Sequence, residues 1–122
     1  MLRDAGDIVD RLCIAQLKAE RIGTPETKKE FREFWEGLFT HILIHPHINW
    51  WEMVNKLFTI HKSIWDLEAD IRQAKLDNNV MEVGQRALNI RNYNKQRVEL
   101  KNQLNRLVGE GFIDIKKNHA SE

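Results

Sequence analysis

The sequence predicts an all-α fold, a four-helix up-and-down bundle with a long antiparallel hairpin formed by helices 3 and 4. Apolar residues recur at helical spacing through four long segments, and no convincing β-hairpin interrupts them. The 122 residues contain only 2 prolines, and short turns join the segments. This length suits a single helical domain over residues 1–111, followed by a C-terminal tail over residues 112–122.

Composition and charge limit the class of protein. Apolar residues make up 42% of the chain and charged residues 30%, which is typical of a globular domain. The formal net charge of +1 provides no general attraction to nucleic acid or to an anionic membrane. No window reaches the roughly 18 apolar residues of a membrane span, and no secretory signal is visible. The single cysteine, Cys13, suits a reducing compartment, so we expect a cytoplasmic protein with no membrane partner.

Helices 1 and 2 are predicted from their start and stop signals. Helix 1 covers residues 4–22, with Asp4 as its N-cap and Gly23 as its stop. Its apolar residues lie on several sides, which indicates either a central helix or one between the core and an oligomer interface. Helix 2 begins at Thr24-Pro25-Glu26, a cap followed by a favourable first turn, and ends near Ile44.

Helix 3 is predicted from Trp50 to about Leu76 and helix 4 from about Val80 to Val108, each after an asparagine that caps its first turn. Trp50 and Trp51 cannot both face inward on one helix. One of them is therefore expected at a subunit interface or over the tail. Together with the several apolar sides of helix 1, this predicts a homodimer.

Helix 3 carries the first part of a candidate site. Four residues flank its apolar stripe at spacings of four, three and four: His61, Trp65, Glu68 and Arg72. Glu68 is predicted to lie closest to the apolar centre. An unpaired carboxylate is costly there, so a group on a neighbouring helix should meet it.

Helix 4 supplies that group. Asn94, Arg97 and Lys101 are spaced i, i+3 and i+7, and they share the apolar face of the helix. An antiparallel hairpin brings them near Glu68 and Arg72, so we predict a partly buried polar cluster. The predicted ligand-binding residues are His61, Trp65, Glu68, Asp70, Arg72, Asn94, Arg97 and Lys101.

Two interpretations of the predicted cluster stay open. In the first, it is a structural ion-pair network that sets the register of helices 3 and 4. In the second, it is a pocket for an anionic ligand, in which Arg72, Arg97 and Lys101 hold phosphate or carboxylate groups. Glu68 would then accept a hydrogen bond from the ligand or hold a divalent ion, and His61 would serve as an acid–base or hydrogen-bond partner.

Acidic residues offer an alternative, a Mg²⁺-dependent hydrolase. Carboxylates on two facing helices can hold Mg²⁺. They recur as Glu30, Glu33 and Glu36 on helix 2 and as Asp66 and Asp70 on helix 3. Glu33-x-x-Glu36 resembles the first half of the motif of all-helical nucleoside triphosphate pyrophosphatases, which use E-x-x-E on one helix and E-x-x-D on the next. Helix 3 lacks the second half, and magnesium is the one cofactor that this alternative implies.

A metal site at the histidines and a nucleic-acid-binding module are further hypotheses. His41 and His45 are one turn apart and His47 follows, but Pro46 interrupts the helix and no nearby acid completes a ligand set. No metal ligand is therefore assigned. The basic residues of helix 4 are spread around the helix, and Tyr93 is the only aromatic residue among them, which argues against nucleic acid as a partner.

Three blocks of sequence stand out together. Residues 10–22 begin Asp10-Arg11-Leu12-Cys13-Ile14, residues 64–72 read I-W-D-L-E-A-D-I-R, and residues 94–105 place Asn94, Arg97 and Lys101 before Leu104 and Asn105. They resemble the patterns (D/E)-(K/R)-L-(S/T)-I-L-x-x-K-x-x-R-I, L-W-D-I-E-D-D-I-R and N-x-x-R-x-x-x-K-x-x-I-N of two related, uncharacterised helical families from bacteria and phages. Departures from these patterns are Cys13 for Ser or Thr, Ala69 for an acid, and a tail that replaces the acidic ending of the families.

The resemblance implies a glycan or nucleotide-sugar context, because these families often accompany glycosyltransferase or surface-polysaccharide genes. It implies no activity. We therefore expect a small non-catalytic accessory or interaction domain, or one that binds a small anion such as a phosphate-containing molecule. A Mg²⁺-dependent hydrolase and a nucleic-acid-binding module remain the alternatives, and no catalytic residue is assigned.

Overall fold

Four α-helices make up the described part of the computed structural model, which covers residues 3–72 and 79–109. They are α1, Ala5–Arg21; α2, Pro25–Ile44; α3, Trp50–Arg72; and α4, Val80–Val108. These two ranges contain no strand, so the predicted all-α class with four helices is confirmed. The predicted end of helix 3 and the turn after it, residues 73–78, lie outside the described residues, as does the predicted tail.

The helices begin where the sequence predicts, because each start is capped by a side chain. In every case an oxygen of the capping residue accepts a hydrogen bond from the backbone N–H three residues later. The capping residues are Asp4, Thr24, Asn49 and Asn79. Gly23 and Gly109, which follow α1 and α4, have φ angles of 74° and 73°, a left-handed conformation that glycine adopts without strain.

Contacts between helix ends show that neighbouring helices alternate in direction. Lys18, near the end of α1, pairs with Glu30, near the start of α2, at 3.4 Å. The backbone N–H of Gly6, in the first turn of α1, donates to Asn105 Oδ1, near the end of α4, at 2.7 Å. These pairs make α1 antiparallel to both α2 and α4, as an up-and-down bundle requires.

The predicted hairpin of α3 and α4 is also confirmed. Asp70, near the end of α3, lies 3.7 Å from Arg86, near the start of α4. Farther along the pair, Ile60 of α3 and Leu100 of α4 line one groove. Residue numbers thus rise along α3 as they fall along α4, which is the antiparallel arrangement.

Helix α1 is the centre of the fold because it packs against each of the other three helices. The core takes leucines from all four elements, and each is almost fully buried: Leu12, Leu38, Leu57 and Leu104. The several apolar sides of α1 are therefore covered within one chain. Cys13 belongs to this core, as predicted, and its thiol donates to the Val54 carbonyl oxygen at 3.4 Å.

Only one of the two adjacent tryptophans is buried, as predicted. Trp50 is buried, and its indole N–H donates to the His45 carbonyl oxygen at 2.9 Å. Trp51 is 63% exposed and lies against Trp35, with ring centroids 5.6 Å apart. Within the described ranges, no helix is sufficiently long and apolar to cross a membrane.

Candidate functional site

A polar cluster lies inside the bundle where α1 meets α3 and α4. Asp10 of α1 is its centre. His61 Nε2 of α3 donates to Asp10 Oδ1 at 2.6 Å. On the other carboxylate oxygen, Arg97 and Lys101 of α4 approach to 3.6 Å and 3.8 Å. We call these four residues the Asp10 cluster.

Helix geometry explains why three elements supply the Asp10 cluster. Asp10 follows Gly6 by one helical turn, and Gly6 holds the backbones of α1 and α4 close together. Arg97 and Lys101 are one turn apart, so both side chains reach the same side of α1. Their long aliphatic stems pack along the helices while their charged ends meet the carboxylate. His61 reaches the other carboxylate oxygen from α3, because α1 packs against both helices of the α3–α4 hairpin.

Burial and charge act in opposite directions on Asp10. Its side chain is only 10% exposed. Burial alone would raise the pKa of this carboxyl group, but the hydrogen bond from His61 and the charges of Arg97 and Lys101 outweigh that effect. The pKa of Asp10 is therefore lowered from its ordinary value of 3.8, and the carboxylate is ionised at neutral pH.

This shift predicts how stability depends on pH. A carboxyl group with a lowered pKa in the folded state contributes stability above its unfolded pKa and loses it as pH falls through the folded value. We expect the contribution of Asp10 to be complete well above pH 3.8 and to decline progressively as pH falls below that value toward the lower pKa of the folded state. Urea unfolding at a series of pH values, followed by circular dichroism, measures this decline in the wild type and in Asp10→Asn.

The asparagine variant is the control because it keeps the shape of the side chain and removes its titration. Its free energy of unfolding should fall less steeply than that of the wild type on acidification. Parallel curves for the two proteins would contradict the lowered pKa of Asp10.

A cavity of about 320 Å³ opens beside the Asp10 cluster. Its lining residues are Asp7, Asp10, Arg11, Ile14, Arg97 and Lys101. Asp7 Oδ2 accepts from Arg11 at 3.0 Å and from Arg3 at 3.1 Å. Three cations and two carboxylates thus line the cavity, so its walls carry a net positive charge at neutral pH.

Some of the residues predicted to form a polar cluster do lie together, but they surround Asp10 and not Glu68. The structure brings His61, Arg97 and Lys101 together, as the sequence predicts for Arg97 and Lys101. Asn94 is buried on α4, as its position on the apolar face predicts. Asp10 is not among the predicted ligand-binding residues, although the sequence contains a signal for it. Gly6, Cys13 and Leu17 lie at i−4, i+3 and i+7 from Asp10, so all four share one face of α1. This face is buried, and Asp10 is the acidic residue on it.

The prediction that Glu68 lies nearest the apolar centre is wrong. Its side chain is 47% exposed and pairs with Arg72, one turn along the same helix, at 3.5 Å. The reason is that α1 ends too early to cover this part of α3. Arg21, the last residue of α1, already pairs with Asp66. Beyond that level α3 has no α1 beside it, and Glu68 and Arg72 face solvent.

Trp65 and Asp70 also lie outside the Asp10 cluster. The guanidinium group of Arg21 lies over the Trp65 ring, 5.7 Å from its centroid, a cation–π contact that joins α1 to α3. Asp70 pairs with Arg86 across the hairpin. These two residues therefore act in contacts between helices, away from the cavity.

The carboxylates considered for Mg²⁺ do not converge. Asp66 pairs with Arg21, and Asp70 pairs with Arg86. On α2, Glu30 pairs with Lys18 and Glu33 with Lys29. Among the residues that the structure describes, no group of three or more His, Cys, Asp or Glu side chains is close enough to hold a metal ion. His41, from the histidine hypothesis, instead donates through Nε2 to the Arg3 carbonyl oxygen at 3.0 Å.

The basic residues of α4 are divided between the inside and the outside of the bundle. Arg97 and Lys101 approach Asp10, whereas Arg91, Lys95 and Arg106 are exposed. They therefore do not form one continuous basic face along the helix.

No protein-family model matches this chain, and no curated protein or solved structure matches it. The resemblance to the bacterial and phage families therefore stays a prediction. Its first block contains Asp10, and its last block contains Arg97 and Lys101, so these two blocks meet in the Asp10 cluster. Its middle block holds Glu68 and Asp70, which pair elsewhere.

Proposed function

We propose that this chain is a non-catalytic helical domain that binds a small phosphate- or carboxylate-bearing molecule in the cavity beside the Asp10 cluster. The observation that supports this proposal is the excess of positive charge on the cavity wall, where Arg11, Arg97 and Lys101 outnumber two carboxylates. Arg97 and Lys101 are both mostly buried, and a charge interaction is stronger in such surroundings than in water.

Each cation has a separate role in this proposal. The planar guanidinium group of Arg97 can donate two parallel hydrogen bonds to a phosphate or carboxylate group. The ammonium group of Lys101 adds a compact charge from one turn farther along α4. Asp10 holds both groups near the cavity in the absence of an anion, so the site is formed before the ligand arrives.

Cavity size limits the ligand. Pockets for small molecules range from about 300 to 1,000 Å³, and this cavity is near the lower limit. It suits one anionic group rather than a whole nucleotide. A sugar phosphate or a sugar nucleotide would place a phosphate in the cavity and leave the remainder of the molecule outside.

The state of the polar residues gives the cavity no general acid. Asp10 is ionised at neutral pH, because its pKa is lowered, and it already accepts from His61. An ionised carboxylate cannot donate a proton, so it is not a general acid. His61 is buried behind Asp10 and is not among the residues that line the cavity.

Ligand-dependent stabilisation tests the proposal. Inorganic phosphate, a sugar phosphate and a sugar nucleotide are each added to the wild type, and thermal unfolding is measured. A probe at ten times its dissociation constant should stabilise the fold by about 1.4 kcal/mol. Lys101→Met should lose this response, whereas Lys95→Met, which changes an exposed lysine of the same helix, should keep it.

Three outcomes would count against the proposal. An equal response in Lys101→Met and the wild type would place the anion elsewhere. The absence of a response to every probe would favour the structural ion-pair network. Release of pyrophosphate from a nucleoside triphosphate in the presence of Mg²⁺ would favour the hydrolase alternative and contradict a non-catalytic role.

A further inference from the structure

An apolar surface is exposed where α2 passes the start of α3. Phe39 is 52% exposed and Leu43 65% exposed, and the exposed Trp51 joins them through its contact with Trp35. We call Trp35, Phe39, Leu43 and Trp51 the α2 face. We propose that the α2 face docks on the α2 face of a second copy of this chain and forms a symmetric homodimer.

The α2 face has both a projecting part and a recess. Phe39 and Leu43 project from the C-terminal half of α2. One turn toward its N-terminus, a groove of about 290 Å³ opens between α1, α2 and α3. The groove is lined by Leu12, Gln16, Phe31, Trp35, Trp51 and Val54. All but Gln16 are apolar, so the groove suits an aromatic or aliphatic side chain from a partner.

A two-fold axis makes these two parts complementary. In an antiparallel pair of α2 helices related by an axis at the level of Gly37, Phe39 of one copy lies opposite Trp35 of the other. Leu43 then lies opposite Phe31. Each copy places its projecting residues over the groove of the other. This is the self-complementarity that a two-fold interface requires.

The exposed area is close to what a dimer needs. Trp51, Phe39 and Leu43 together expose on the order of 350 Å² of side chain, since a whole aromatic side chain presents about 150–250 Å². A standard interface takes about 800 Å² from each partner, and a little over half of that area is apolar. The α2 face and its groove supply most of this apolar share.

Charge also favours a second copy as the partner. The formal net charge of +1 means that two copies repel each other only weakly. In the two-fold arrangement, Lys28 and Arg32 of each copy lie toward the C-terminal end of the other α2. The helix dipole is negative at that end and attracts cations.

Sedimentation equilibrium tests the proposal with two matched variants. Phe39→Glu places a charge on the α2 face, and Leu88→Glu places the same charge on α4 at a leucine that is also 52% exposed. The wild type should change from monomer to dimer between micromolar and near-millimolar concentration. Phe39→Glu should raise the dimer dissociation constant by about tenfold or more, and Leu88→Glu should leave it unchanged.

Circular dichroism checks that both variants keep the helical content of the wild type. Leu43→Lys, at the other projecting residue, should weaken the dimer in the same way and provides a second variant. A wild type that stays monomeric at the highest concentration would overturn the proposal. So would a dimer that Leu88→Glu weakens as strongly as Phe39→Glu does, because that result would show non-specific association.

Discussion

Replacing Asp10 with alanine is expected to lower the free energy of unfolding by about 3–5 kcal/mol. The substitution removes the one carboxylate on which His61, Arg97 and Lys101 converge. Arg97 and Lys101 are mostly buried, so water that enters through the cavity beside them replaces the lost interaction only in part. Urea unfolding at neutral pH, followed by circular dichroism, measures the loss.

Asp7→Ala is the matched control for this variant. Asp7 lies one turn before Asp10, near the surface, and it pairs with Arg3 and Arg11, which are both exposed. Surface pairs of this kind contribute less than about 1 kcal/mol. Equal losses in the two alanine variants would contradict the structural role of the Asp10 cluster.

Replacing Gly6 with alanine is expected to destabilise the fold by about 3 kcal/mol, as the combined result of overpacking and a weakened buried hydrogen bond. An added Cβ would lie 2.5 Å from the Lys101 carbonyl oxygen and 3.1 Å from both terminal atoms of the Asn105 side chain. The nearest atom belongs to the backbone of α4, so α1 and α4 must move apart. That movement also stretches the bond from the Gly6 N–H to Asn105.

Gly84→Ala is the matched control, because the same substitution is expected to stabilise the fold at this position. Among the described residues, no heavy atom beyond its own helix lies within 4 Å of the position that the added Cβ would take. Alanine favours a helix over glycine by about 0.8–1 kcal/mol, so this variant should be more stable than the wild type. Thermal unfolding of Gly6→Ala and Gly84→Ala, each compared with the wild type, measures both changes in stability. A stabilised Gly6→Ala would contradict the close approach of α1 and α4.

Local signals predict most of the fold because helix starts depend on neighbouring residues. Asp4, Thr24, Asn49 and Asn79 each cap the helix that follows, and no distant contact is needed to recognise them. The different burial of Trp50 and Trp51 is also predictable, since adjacent residues on a helix point about 100° apart.

The candidate site is less predictable because it depends on which helices meet. The spacing of Arg97 and Lys101 indicates a shared inward face, and that prediction is confirmed. The sequence predicts their partner on α3, the other helix of the hairpin. The carboxylate comes instead from α1, which packs against both α3 and α4. Periodicity within one helix indicates that a face is buried, but it does not identify the helix that covers it.

The error at Glu68 has a related cause. Helix periodicity predicts an apolar stripe along the whole of α3, and it places Glu68 beside that stripe. Burial, however, also depends on how far a neighbouring helix extends. Within the described part of α3, the buried residues end at Ile64, because α1 ends near Asp66. The length of the central helix therefore decides where the interior ends.

The central position of α1 has a consequence for the order in which the molecule is completed. α1 is synthesised before the other three helices, and its contact with α4 joins Gly6 to Asn105, which are 99 positions apart. Closing so long a loop is slow compared with forming a local hairpin. On the ribosome, α1 emerges long before the residues that will neutralise its buried acid. Asp10 must remain hydrated until Arg97 and Lys101 are synthesised, so the step that completes the candidate site is also the step that joins α1 to α4.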